Sequence, residues 1–377
     1  MRFGPVPTRE AVGAILAHAA RGAESVVKKG VVLREADVAA LLEANVEEVV
    51  VARLEAGDVG ENPAAERLAA AVMGSGVVAE APFTGRVNLH AASAGVLVVE
   101  RARVDAANLV DEAITIATLP DRKAVVAGEM VATVKIIPFA VPGAVLDGAV
   151  RVGADAVRVA PYTRRRVAMI STTTAALKPS VIEKTVKVTA ERLAPTGAAI
   201  VADRRVEHGI EPLVGALHAT LAEAPDLVVV FGASAVTDRR DVVPAAIEAV
   251  GGVVEHVGMP VDPGNLLLLG RIGDTPVVGA PGCARSPREN GFDWVLARLL
   301  AGLPLGRADV QAMGVGGLLM EIVTRPQPRA EPARPAAPVA AIVLAAGRST
   351  RMGAINKLTT PLHGKPKVRH ADHAAHR

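Results

Sequence analysis

Between residues 166 and 306, short β-branched runs alternate with amphipathic helical stretches, and this alternation limits the fold more than any other feature of the chain. The runs VAMIS (167–171), AAIVA (198–202), DLVVVF (226–231), GVVEHV (252–257) and TPVVGA (275–280) are almost continuously apolar. Each reads as a strand buried on both faces. Between them the 3.6-residue pattern predicts helices over about 179–194, 207–223, 242–250 and 288–301. Parallel strands need a crossover between them, usually a helix, so the alternation predicts an α/β fold: a doubly wound, mostly parallel sheet.

The flanks read differently. Residues 1–165 mix helical patterns (9–20, 35–45, 63–73) with strand-like runs (47–54, 95–100, 130–141), which predicts one or two smaller α+β domains ahead of the 166–306 domain. Residues 307–324 read as a short extension of the body. The stretch RPQPRAEPARPAAP (325–338) has five prolines in fourteen positions and little apolar content, so it predicts a stiff, extended linker. The remaining residues, 339–377, start with a buried-strand run and a small-residue loop.

Composition narrows the function classes. The formal charge of +3 hides an asymmetry, because from Pro338 onward seven Lys and Arg face Asp372 alone, leaving residues 1–337 at −3. A mildly acidic body with one Trp, one Tyr and five Phe offers nucleic acid neither a basic face nor a stacking surface. No apolar run reaches the length of a membrane span, and the start of the chain has no signal-peptide pattern, so the cytoplasm is the expected compartment. Cys283 is the sole cysteine, which excludes an internal disulfide and any CxxC site and reads as a small, buried or half-buried residue.

In an open parallel sheet, ligands sit beyond the carboxyl ends of the strands, so the loops there are where chemistry is expected. After DLVVVF the chain runs from Gly232 through Ser234, Thr237, Asp238 and Arg240 to Asp241 and then enters a helix. Such a small-residue turn lets the backbone of Gly232 and the hydroxyls of Ser234 and Thr237 approach an anion at a helix N-terminus. Asp238 and Asp241, three positions apart, suit a hydrated Mg²⁺. They suit equally a plain N-cap at Asp241 and a solvated turn before it. After TPVVGA, Gly282, Arg285 and Ser286 could take a phosphate, although Ser286-Pro287 also reads as an N-cap with proline at the first helical position. The stretch 258–265 is a Pro/Gly turn. In the terminal segment Gly347 and Gly353 permit close backbone approach, and Arg351 and Lys357 put two cations in one loop, as a nucleotide triphosphate requires. The end, with His363, His370, His373 and His376, reads as a polar tail rather than a metal tract.

Together the three central loops resemble the molybdopterin-binding domain shared by molybdopterin adenylyltransferase and molybdopterin molybdotransferase. Gly232, Ser234, Arg240, Asp241 and Pro244 match the family's Gly-Gly-x-Ser loop and Arg-Asp-Val-x-Pro run. Pro281, Gly282 and Ser286 match its Leu-Pro-Gly-Asn-Pro-x-Ser loop, and Met259, Pro263 and Gly264 its Met-x-x-x-Pro-Gly turn. The chain departs from the pattern at Thr172-Thr173-Thr174, where the family carries Gly-Asp-Glu, and at Glu183 and Thr185, where it carries Asp-x-Asn. Asp262 and Asn265 stand where basic residues are common. The resemblance implies that molybdopterin or adenylylated molybdopterin is the ligand, in a homodimer. It implies Asp241 and Asp238 as catalytic residues holding Mg²⁺, and Gly232, Ser234, Thr237, Gly282, Arg285 and Ser286 around the pterin phosphate. Molybdate would be inserted as AMP leaves; the alternative is a non-catalytic carrier. The terminal segment resembles the start of a molybdenum cofactor cytidylyltransferase through Leu344, Ala346, Gly347, Ser349, Arg351, Met352, Gly353 and Lys357. About forty residues are too few to complete that domain, so cytidylyltransferase activity is not expected.

Overall fold

The computed structural model describes residues 1–319, and the backbone alone at 361–362 and 365–366. The proline-rich linker and the terminal loop with Gly347, Arg351, Gly353 and Lys357 lie outside the described residues. Of the unit formed by residues 322–377, only a short antiparallel pairing of Pro361–Leu362 with Lys365–Pro366 is described.

The central region is a six-stranded sheet. Its strands are β1 (Arg166–Thr173), β2 (Ala199–Glu207), β3 (Leu227–Phe231), β4 (Val253–Val257), β5 (Leu268–Ile272) and β6 (Thr275–Ala280), in the order β2-β1-β3-β6-β5-β4. The first four strands in that order pair parallel, and β5 runs antiparallel to both of its neighbours. The strand β5 has no counterpart among the predicted runs, because LLLLG adjoins a Pro/Gly turn and returns directly into β6 by a tight Gly273 turn (φ +56°).

Alternate apolar residues divide cleanly between the two faces. Val167 and Met169, Leu227, Val229 and Phe231, and Val278 face α1 (Pro179–Leu193) and α4 (Gly291–Leu300). Ala168 and Ile170, Val228 and Val230, and Val277 face α2 (Ile210–Leu221) and α3 (Val242–Ala249). Each fully buried Val, Leu, Ile or Phe contributes roughly 1.5–3 kcal/mol relative to exposure, so the two cores together hold the sheet. Two of the strands predicted to be buried on both faces are edge strands. In β2 exposed residues alternate with half-buried ones, and in β4 only Val254 is buried, because each has a neighbour on one side alone.

Residues 1–161 form antiparallel sheets with helices, as an α+β region. One sheet joins Arg2–Pro7, Glu48–Arg53 and Ile15–Leu16; another, of four strands, has Arg86–Ala91 and Met130–Ile136 at its centre. The helical pattern over 9–20 is not realised. Gly13 has φ +77°, and Gly13 and Leu16 donate to the carbonyls of Leu33 and Val31, so the chain pairs with a distant segment instead of with itself. The run 130–141 splits at Pro138, which has no N–H to give, into Met130–Ile136 and Ala140–Pro142 in a different sheet. Val96, Val98 and Ala160 from this region, with Tyr162 just beyond it, join the core beneath α4. No helix among the described residues is long and apolar enough to cross a membrane.

Candidate functional site

The carboxyl ends of β1, β3 and β6 lie side by side, so the turns that follow them converge. After β3 the chain bends sharply at Gly232, where a Cβ would come within 2.6 Å of the Ser234 carbonyl oxygen. Ser234, Thr237, Asp238 and Arg240 are exposed along this turn. Asp238 accepts from the Arg240 backbone N–H at 2.9 Å and pairs with the Arg240 guanidinium at 2.7 Å. This hydrogen bonding holds its carboxyl down at about 2. Asp241 is the N-cap of α3, and its two carboxylate oxygens accept from the backbone N–H of Val242 at 2.8 Å and of Thr237 at 3.3 Å.

Those contacts bear on whether magnesium fits. Both Asp241 oxygens are engaged by the helix start and both Asp238 oxygens by Arg240, and no group of three or more His, Cys, Asp or Glu among the described residues is arranged to hold a metal ion. The two aspartates as they stand are a helix cap and an ion-paired turn, each already engaged by neighbouring donors.

The turn after β6 is built differently. Gly282–Arg285 forms a 3₁₀ turn, and α4 begins only at Gly291, capped by Asn290 with a reciprocal bond from its own backbone N–H to Asp293. Ser286 is therefore not a helix cap; its hydroxyl accepts from the Arg288 backbone N–H at 3.3 Å, and Gly282 is exposed. Arg285 turns inward. Its guanidinium donates to Thr185 Oγ1 on α1 and to the Gly232 carbonyl, each at 3.0 Å, and lies 5.3 Å from the Phe231 ring centroid. No carboxylate pairs with it among the described residues, and burial lowers its pKa. The adjacent Cys283 thiol is pushed up by burial, which keeps it a protonated thiol.

Arg192, in the last turn of α1, holds this turn in place. It pairs with Asp293 at 2.6 Å, donates to the carbonyls of Ala284, Ser286 and Arg288, and lies over the Phe292 ring. Sequence reasoning missed it, since a basic residue at a helix end ordinarily reads as a dipole partner. It missed the Asn290 to Asp293 spacing too, which marks the true start of α4. The 258–265 turn is structural. Gly264 has φ +142°, and a Cβ there would meet the Gly291 backbone N at 2.8 Å, so this turn packs backbone to backbone against the start of α4.

The structure thus brings Gly232 and Arg285 together and leaves Ser234, Thr237 and Asp238 along an exposed rim. Residues 168–301, which contain all of these groups, match the family model of a probable molybdopterin binding domain. This segment is a domain of the molybdopterin-binding family. Beside it, residues 341–376 match a MobA-like NTP transferase domain and residues 5–53 a domain of unknown function. Among solved structures, a molybdopterin biosynthesis moea protein from Pyrococcus horikosii aligns at 16% identity over 80% of this chain and 75% of its own, with a TM-score of 0.30. A Mog protein from Mycobacterium ulcerans aligns at 18% over 36% of this chain and 92% of its own, with a TM-score of 0.25. A putative molybdenum cofactor biosynthesis protein from Corynebacterium diphtheriae aligns at 15% over 38% and 100%, with a TM-score of 0.27. No curated protein matches the chain. Two of the threonines at which the domain departs from the family pattern, Thr172 and Thr185, are buried and hydrogen-bonded within the site.

Proposed function

We propose that this chain works in molybdenum cofactor biosynthesis by binding molybdopterin or adenylylated molybdopterin across the carboxyl ends of β1, β3 and β6, and by holding it for delivery. The observation that carries this reading is Arg285: a half-buried guanidinium held by a hydroxyl, a carbonyl and a ring, all neutral, with no carboxylate among the described residues to cancel it. A cation kept open at a strand-end crevice is suited to a phosphate, because an ionised acceptor would meet a donor already oriented and partly desolvated. The backbone of Gly232 and the hydroxyls of Ser234 and Ser286 supply further donors around it.

Holding is favoured over magnesium-dependent molybdate insertion because the carboxylates that would carry a metal are otherwise engaged and threonines replace the family's acids at Thr173 and Thr174. The match at 341–376 to a MobA-like NTP transferase domain points to a nucleotidyltransferase as the kind of recipient. The test uses the one tryptophan. Trp294 donates to Glu289 in the turn that contains Arg285, so its fluorescence should respond when the purified chain is titrated with molybdopterin. Adenylylated molybdopterin incubated with molybdate and Mg²⁺ should release no AMP above the uncatalysed rate. Turnover would convert the reading to a molybdotransferase, and an absence of any binding would remove it.

A further inference from the structure

The Gly232 turn is held by a second device that the ligand reading does not use. Thr172, fully buried near the end of β1, accepts the Ala233 backbone N–H at 2.8 Å on Oγ1, and the same oxygen lies 2.8 Å from Nδ1 of His208. A hydroxyl has one hydrogen to give. With the Ala233 N–H on one of the two lone pairs of Oγ1, the contact to His208 is closed either by the hydroxyl hydrogen on Nδ1 or by Nδ1–H on the second lone pair, according to the tautomer. The imidazole is itself placed by the sheet. Thr173 of β1 pairs with Glu207 of β2, and the His208 N–H donates to the Thr173 carbonyl at 2.8 Å, which extends that ladder by one position.

The order β2-β1-β3 puts Thr172 between its two partners, so one side chain ties the first residue after β2 to the turn after β3. Ala233 follows Gly232, whose carbonyl accepts from Arg285. The same short turn is therefore gripped twice, by Arg285 at the carbonyl of one residue and by Thr172 at the N–H of the next.

We propose that His208 is a positioning residue which acts through Thr172 to fix the Gly232–Ser234 turn in the shape that receives the ligand's phosphate. The inference rests on the molybdopterin-binding reading above, and its test separates the two. In the purified full-length chain without ligand, hydrogen exchange at the Ala233 amide should accelerate about tenfold in His208→Ala and in Thr172→Val. Both His208→Asn, which restores a side chain able to accept or donate, and Thr172→Ser, which keeps the hydroxyl, should return it towards the parent rate. Molybdopterin affinity should fall about three- to tenfold in the first pair and recover in the second, as expected for one hydrogen bond. Ala233 exchange unchanged in His208→Ala, or affinity lost equally in His208→Ala and His208→Asn, overturns the proposal. Where the alanine and valine variants do not fold, the Asn and Ser variants still decide it, because both should match the parent chain in exchange and in affinity. If the parent chain binds no molybdopterin while Ala233 exchange follows the expected order, the strut stands and the ligand reading is what fails.

Discussion

In the turn after β3, Arg240 lies on Asp238 and both are exposed; in the turn after β6, Arg285 is half-buried against Thr185, Gly232 and Phe231. In the first turn the charge of Arg240 is cancelled by a carboxylate two positions away. The second keeps its charge available because every partner is neutral and because Arg192 fixes the backbone around it. An arginine near a glycine in sequence is thus compatible with two opposite roles, and what separates them is whether a carboxylate lies within reach.

The comparison can be broken most severely at Arg192. Replacing it with alanine removes the ion pair to Asp293 and the donors to three carbonyls, and should cost about 3 kcal/mol, the low end for breaking a buried pair. A chemical-denaturation curve measures this. A loss under 1 kcal/mol would mean that the second turn holds itself and that its rigidity has another source.

Next comes Arg285. In Arg285→Ala the affinity for molybdopterin should drop about ten- to a hundredfold, as expected when charge-assisted bonds of roughly 1.5–3 kcal/mol are lost, whereas Arg240→Ala should change it less than twofold. Titration of both variants by tryptophan fluorescence tests the contrast directly, and the reverse order would invert the roles assigned to the two turns.

A smaller effect belongs to Asp241. If it serves as the cap of α3, Asp241→Ala should cost about 1 kcal/mol and Asp241→Asn much less, since asparagine caps as well as aspartate. Equal and large losses of ligand affinity in both would instead point to a role for the charge itself.

The weakest effect is at Asp238. Its carboxyl is held at about 2, below the ordinary 3.8, by Arg240. A depressed carboxylate pKa adds stability that is present above the ordinary value and is lost as pH falls through the depressed one. The denaturation midpoint of the parent chain should therefore fall slightly more steeply than that of Asp238→Asn between about pH 4 and pH 2. Because the pair is exposed, the difference is expected to be small and to shrink further in high salt.

Much of the central architecture was legible from pattern alone. The predicted helices over 179–194, 207–223 and 242–250 overlap α1, α2 and α3, because buried faces recur every three to four residues there. The fourth begins three residues later than predicted, at Gly291, since Pro287 mimics a helix entrance. The pattern could not separate central strands from edge strands, because hydrophobicity reports what a residue tolerates and the number of neighbours is set by strand order. At the site, residue type pointed to Gly232 and Arg285 but not to Thr172, His208 or Arg192, whose partners lie 36 to 101 positions away.

The amino-acid sequence by itself determined that this chain would build a wound α/β sheet and that small residues and arginines would follow its strand ends. Both follow from local properties: period, branching, and the room a glycine leaves. Tertiary structure alone decided which charges cancel. Asp238 meets Arg240 through a turn, Asp293 meets Arg192 across 101 positions, and Arg285 meets only neutral groups. The Coulomb energy of a charge depends on what surrounds it in space, and that surrounding is assembled only when distant segments pack.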